Sequence, residues 1–145
     1  MGHTYSATLF HVVFSTKERR NAIKEPAKLW AYVAGTARNL GYEPLAVGGT
    51  ENHLHMLLRL PAHIAPAEAA QKLKANSSRW LGENRSWFGW QQGYGAFSVS
   101  PSNVDAVRRY IQNQAEHHRR RSFEEEFVAL LGRSGISFDK AEVFE

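Results

Sequence analysis

The stretch Asn52-His53-Leu54-His55-Met56-Leu57-Leu58 decides how this chain is read. In a strand, successive side chains alternate between faces. His53 and His55 then point one way, while Leu54, Met56 and Leu58 point the other. The apolar set calls for a core. Two bare imidazoles on a half-buried strand are costly to desolvate. They make sense if they share a ligand, and a divalent metal ion is the commonest shared ligand of neutral imidazole.

Outward from this strand, which spans about residues 53–60 and is closed by Pro61, the other elements follow. Residues 5–16 are β-branched and aromatic and read as a long first strand. Glu25-Pro26 opens a helix in which Leu29, Trp30, Val33, Ala37 and Leu40 recur at helical spacing, with Gly41 as its stop. Residues 42–48 form a second strand, and 49–52 turn the chain into the histidine strand. Pro66 starts a second helix over 67–81, with Ala70, Leu73, Ser77 and Trp80 on one side. Residues 82–86 read as a loop and 90–99 as a fourth strand with a bulged beginning. Ser102 and Asp105 suggest a capping box for a third helix reaching about His118, and 123–131 a short fourth helix.

The order β-α-β-β-α-β-α predicts an α+β fold: a ferredoxin-like (split βαβ) antiparallel sheet, with helices on one face and an added C-terminal helix carrying Tyr110. Those helices are expected on the Leu54/Met56/Leu58 side, leaving the histidines on an uncovered face open to a ligand. The 145 residues suit a single domain, 1–145.

Composition narrows the function classes. The chain has no cysteine, which excludes a disulfide framework and thiolate-bound zinc. It has no apolar run long enough for a membrane span and no secretory signal at its start, so a cytoplasmic protein is expected. The net charge is +4. Basic residues cluster at Lys17, Arg19 and Arg20, at Lys72, Lys74, Arg79 and Arg85, and at Arg108, Arg109, Arg119, Arg120 and Arg121. Such clusters suit a polyanion, because neutralising phosphates releases counterions.

A catalytic ion needs a third ligand and an open position. Tyr110 and Gln114 stand i, i+4 on the late helix, on the shoulder of the apolar stripe Val104, Val107, Ile111 and Ala115. Gln114 can offer an amide oxygen suited to Mg2+ or Mn2+. Tyr110 can act as a nucleophile beside a metal-bound phosphate.

At these residues the chain resembles the single-tyrosine HUH transposases, small enzymes that move insertion sequences as single-stranded DNA. The resemblance rests on His53-Leu54-His55 followed by Tyr110-Ile111-Gln112-Asn113-Gln114. It extends to 11–17, to Leu73-Lys74-Ala75-Asn76-Ser77-Ser78, to Trp90-Gln91-Gln92-Gly93-Tyr94, and to Glu116-His117-His118 with 122–127, covering about residues 5–138. It implies that His53, His55 and Gln114 hold Mg2+ or Mn2+ at the scissile phosphate. It also implies that Tyr110 attacks phosphorus to give a 5′-phosphotyrosine, which a new 3′-hydroxyl resolves. Hairpin-bearing single-stranded DNA and a homodimer are the implied partners. In such a dimer the tyrosine helix of one subunit can serve the histidine pair of the other.

Each residue also has a plainer reading. His53 and His55 alone fit a solvated sheet face, Tyr110 a packed helix-flank ring, and Gln114 a surface amide. His11 lies near the site or is structural, and His117 and His118 are read as DNA-facing or structural. His11, Lys17, Arg19, Arg20, Lys74 and Arg79 are the candidates for DNA contacts, and Trp87 or Trp90 for base stacking. The rival functions are a hairpin-binding protein that no longer cleaves, a replication initiator or relaxase, and a histidine-triad hydrolase. The last fails because the next alternate position is Leu57.

Overall fold

The structure is a computed structural model that describes residues 2–82 and 88–144. Strand β1 is Thr8–Ser15, helix α1 Pro26–Asn39, β2 Glu43–Thr50, β3 His53–Leu60, α2 Pro66–Gly82 and β4 Gly95–Ser98. Three further helices follow: α3 Val104–Gln112, α4 Gln114–His117 and α5 Phe123–Arg133. The strands make one antiparallel sheet in the order β2-β3-β1-β4, the split βαβ arrangement. Among the described residues no helix is long and apolar enough to cross a membrane.

The central pair β1 and β3 sets the core. They run in register from Thr8 opposite Leu60 to Ser15 opposite His53. Val12, Phe14, Leu54, Met56 and Leu58 pack against Leu29, Val33 and Ala37 of α1 and Ala69, Ala70 and Leu73 of α2. Each large side chain so buried contributes about 1.5–3 kcal/mol. A one-residue slip of β3 would turn this whole set outward, so the apolar face also fixes where the histidines point. Helix α1 starts with Pro26 in its first turn. It ends where Gly41 turns to φ 85° and the Tyr42 amide donates to the Ala37 carbonyl (2.9 Å).

The histidine face is not uncovered, as the sequence suggested. Val13 and Phe97 on that face pack against Phe123, Phe127 and Leu131 of α5, and Leu57 and Ala46 against Ile111 of α3. The physical reason lies in the strands themselves. Val13 and Leu57 share a face with the histidines, and that apolar surface draws the C-terminal helices over it. His53 and His55 are consequently 0% exposed.

Other boundaries differ locally. The expected third helix breaks at Asn113, where φ −100° and ψ 20° end α3 before α4 begins. Ser102 does not cap it. Residues Pro101–Asn103 form a 3₁₀ turn, and the Ser102 hydroxyl meets that of Ser100 at 3.0 Å. The capping box belongs to α5, where Ser122 and Glu125 bond reciprocally. The fourth strand narrows to Gly95–Ser98, with Trp90 making only an isolated bridge to Thr16. Arg85, Trp87 and the loop segment 83–86 lie outside the described residues.

The approach of α3 to β2 is set by Gly48. A Cβ there would collide with the Ile111 carbonyl oxygen and stand 3.1 Å from Ile111 Cγ2. Gly48→Ala is expected to lower stability by about 1–3 kcal/mol in urea denaturation. An unchanged midpoint would contradict the close contact.

Candidate metal and nucleophile site

Five elements deliver the site. Strand β3 supplies His53 and His55, and β1 supplies His11, diagonal to His55 in the register because His11 faces Leu57. Tyr110 comes from the last turn of α3. Gln114 is the first residue of α4, turned inward by the break at Asn113 and 1% exposed. Helix α5 supplies Glu126, also 1% exposed, on the same side as Phe123 and Phe127.

The Glu126 carboxylate lies where these groups meet. Its Oε1 is 3.0 Å from His55 Nε2, 3.1 Å from His118 Nε2 and 3.6 Å from His53 Nε2. Its Oε2 accepts from the Tyr110 hydroxyl and from Gln114 Nε2 (3.0 Å). Ligand atoms of His53, His55, His118 and Glu126 all lie within 4.8 Å of one another, a group that can hold a metal ion. His117 Nε2 is buried without a hydrogen bond, 3.4 Å from Glu126 Oε2.

The polar atoms around His53 leave room for a positive centre in one of its two tautomers. Its Nδ1 stands 2.9 Å from Asn52 Oδ1 and 3.0 Å from Thr50 Oγ1, and its Nε2 stands 2.9 Å from Gln114 Oε1. The Gln114 amide is oriented by donation to Glu126, so its oxygen faces the imidazole. A neutral imidazole has one N–H. With the proton on Nε2 it goes to Gln114 Oε1, and the Thr50 hydroxyl can donate to Nδ1. With Nδ1–H on Asn52, Nε2 and Gln114 Oε1 become two acceptors aimed at each other, which a shared cation satisfies. Neighbouring ligand atoms at right angles, about 2.1 Å from an octahedral ion, lie about 3.0 Å apart. The hydrogen-bonded spacings of 2.9, 3.0 and 3.1 Å among Gln114, His53, His55, His118 and Glu126 are compatible with such an edge, while His53 Nε2 and Glu126 Oε1 stand wider at 3.6 Å. The donor set, imidazole with amide and carboxylate oxygen, suits Mn2+ or Mg2+.

Protonation follows from burial. Desolvation, with the neighbouring His55 charge second, holds His53 and His11 down at about 3, so both are neutral. The neutral form is the one that ligates a metal. His11 Nε2 meets His55 Nδ1 at 2.7 Å and so fixes the orientation of that ring. Burial alone would raise Glu126, but hydrogen bonds from His118, His55 and Tyr110 outweigh it and hold the carboxyl well below its usual range. Burial and then the Glu126 hydrogen bond push the Tyr110 phenol up. It is a phenol, not a phenolate, in this arrangement.

Thus the structure brings His53, His55, Gln114 and Tyr110 together, with His11 behind them. The sequence reading missed Glu126 and set His118 apart from the ion. A signal for Glu126 was present: an acid three residues after Phe123 and one before Phe127 sits on the apolar face of an amphipathic helix. Lys17, Arg19 and Arg20 follow β1, where Arg19 borders the site and donates to the Phe144 carbonyl (2.8 Å), while Arg20 pairs with Glu18 at 2.7 Å. Lys74 and Arg79 lie on α2, beyond the opposite face of the sheet. Lys74 Nζ donates to the carbonyls of Gln91 (2.8 Å) and Gly93, and Arg79 to Asn76 Oδ1 (3.3 Å). Trp90 packs edge-on against Phe14 and Phe88, with its indole N–H on Ser77 (2.9 Å).

Two basic clefts flank the segment that carries Gln114 and His118. One of about 910 Å³ is lined by Arg19, Trp30, Asn52, His118, Arg119 and Arg121. The other, about 700 Å³, is lined by Arg109, Tyr110, His117, Arg120 and Arg121. Arg121 borders both.

Residues 4–114 match the family model described as "Transposase IS200 like". No curated protein matches the chain. Among solved structures, a Deinococcus radiodurans R1 protein assigned to the transposases shares the fold with TM-score 0.61 and 23% identity, over 79% of this chain and 96% of that one. A REP-associated tyrosine transposase bound to a REP hairpin shares it with TM-score 0.62 and 14% identity, over 81% of this chain and 73% of that one.

The depressed histidines give stability a pH dependence of fixed sign. Unfolded His11 and His53 take up protons near 6.5, whereas the folded protein resists until about 3. Their contribution is full above pH 6.5 and is lost as pH falls from there towards 3, by up to about 1.4 kcal/mol per pH unit for each histidine. The melting temperature of metal-free protein is expected to fall steadily between pH 7 and pH 4. A flat profile from pH 7 to pH 5 would contradict the buried neutral pair.

Proposed function

The chain belongs to the IS200-like transposase family, and on that premise we propose that it is a metal-dependent single-stranded DNA transposase with Tyr110 as its nucleophile. The observation that carries this reading is the convergence of the Tyr110 hydroxyl, the Gln114 amide and two buried imidazoles on one point. His53, His55 and Gln114, with Glu126 and His118 beside them, would hold the divalent ion. When bound, the ion supplies Lewis-acid polarisation of the scissile phosphate and charge stabilisation for the departing 3′ oxygen.

The chain's own residues do the rest. The phenolic proton leaves as the Tyr110 oxygen attacks phosphorus, the bond to the 3′ oxygen breaks and that oxygen takes up a proton, and the product is a 5′-phosphotyrosine with a free 3′-hydroxyl. A different 3′-hydroxyl reverses the exchange and rejoins strands without an external energy source, which is the reason to use tyrosine rather than water. Burial and then the negative Glu126 keep Tyr110 protonated at rest, so the nucleophile stays quiet until cationic charge offsets that carboxylate. Arg109, Arg120 and Arg121, around the Tyr110 cleft, supply charge for the backbone on either side of the scissile phosphate. The hairpin on the REP-associated transposase of like fold supports a hairpin-bearing strand as substrate here.

The expected homodimer takes on a particular form in this reading. Tyr110 and the histidine pair of a single chain already meet, so a dimer is not needed to complete the set. Mixing Tyr110→Phe with a His53→Ala/His55→Ala double variant is expected to yield no covalent adduct on a hairpin-bearing suicide oligonucleotide. Adduct from the mixture would show that the halves come from two subunits. Tyr110→Phe alone is expected to abolish the Mn2+-dependent adduct while hairpin affinity stays within about twofold, since the substitution removes only the reacting oxygen. Adduct in that variant, or adduct in wild-type protein under chelation, would contradict the assignment.

A further inference from the structure

Glu126 has a bonding pattern that a metal ligand alone does not require. An ionised carboxylate is an acceptor only, with about four lone-pair sites. All are taken. On Oε1 stand His55 Nε2 (3.0 Å) and His118 Nε2 (3.1 Å), and on Oε2 stand Gln114 Nε2 (3.0 Å) and the Tyr110 hydroxyl. One oxygen thus faces the imidazoles and the other faces the nucleophile. The carboxylate itself cannot drift. Phe123, Phe127 and Leu131 anchor α5 on Val13 and Phe97, and the Ser122–Glu125 capping box fixes the start of that helix.

We propose that Glu126 is the positioning residue for the nucleophile, holding the Tyr110 hydroxyl over the histidine pair through the two oxygens of one carboxylate. The chemistry served rests on the transposase reading above, whereas the placement of Tyr110 is a property of the resting protein. The arrangement sets the direction of the tyrosine oxygen before DNA arrives, and a preset direction is worth much of a catalyst's rate. A displacement of about 1 Å costs about a hundredfold.

Glu126→Gln is the informative substitution because it is isosteric and electrostatically wrong. Its NH2 must face either His55 and His118 or Tyr110 and Gln114, and each pair now donates towards Glu126. Glu126→Asp keeps the charge but withdraws it by one methylene. The placement is read by NMR on protein labelled at tyrosine Cζ, with Tyr110→Phe identifying the Tyr110 resonance. Tyr5, 91% exposed, provides the solvent reference. In both variants the Tyr110 resonance is expected to move towards that of Tyr5. Single-turnover adduct formation at saturating Mn2+ is expected to fall about a hundredfold, with hairpin affinity unchanged.

An unmoved resonance in folded Glu126→Gln and Glu126→Asp overturns the proposal. So does a wild-type rate once Mn2+ saturates the variant, which would make Glu126 an ion ligand and nothing more. If Glu126→Gln does not fold, Glu126→Asp gives the same two readings. If wild-type protein forms no adduct, the transposase reading fails, while the resonance still decides the positioning.

Discussion

Two imidazoles locked on the inward face of a central strand are the constraint from which the rest of this molecule follows. Alternation along β3 ties them to Leu54, Met56 and Leu58: the strand cannot bury the one set on α1 and α2 without presenting the other to the opposite layer. That layer is itself apolar around Val13, Leu57 and Phe97, so it is covered, and water is removed from the histidines. A desolvated imidazole without partners costs about 1–3 kcal/mol per unmade hydrogen bond. Every covering element therefore contributes a polar group at the same place: Tyr110 from α3, Gln114 and the nearby His118 from the α4 segment, Glu126 from α5; the neighbouring strand β1 adds His11.

Much of this was legible in the residues. The sheet order, both helices of the first layer and the inward set of β3 follow from period-two and helical patterns that agree with one another. The break at Asn113 was not legible, because the apolar stripe of α3 runs on into Ala115 with no glycine or proline to interrupt it. Ser102-x-x-Asp105 misled for a similar reason: Pro101 commits the backbone to a 3₁₀ turn in which the serine bonds Ser100 instead. Glu126 was hidden among Glu124 and Glu125, where a run of acids at a helix start has an ordinary explanation in the helix dipole. Only its phase relative to Phe123 and Phe127 distinguishes it. The covered histidine face shows the limit of a strand-by-strand reading, since what lies over a sheet depends on elements that come much later in the chain.

The chemistry and the electrostatics agree. Neutral His53, an amide oxygen and an ionised carboxylate form a donor set that suits a divalent cation, and with Nδ1–H on Asn52 the acceptors His53 Nε2 and Gln114 Oε1 face each other. Tyr110 sits at the edge of that negative ground, its proton retained by burial and by the carboxylate beside it. Positive charge entering the group would satisfy the acceptors and relieve the tyrosine at once. In the proposed reading, the arginine-bordered clefts on either side would give a polyanionic strand a way past the same point, with Arg121 common to both.

The most direct test is a crystal structure of the protein grown with Mn2+ and measured for anomalous scattering. The account predicts one strong peak about 2.1 Å from His53 Nε2, His55 Nε2 and Gln114 Oε1, with a Glu126 oxygen in contact. Fully occupied Mn2+ elsewhere on the protein, with His53 and Gln114 still in direct contact and no density between the histidines, would contradict it.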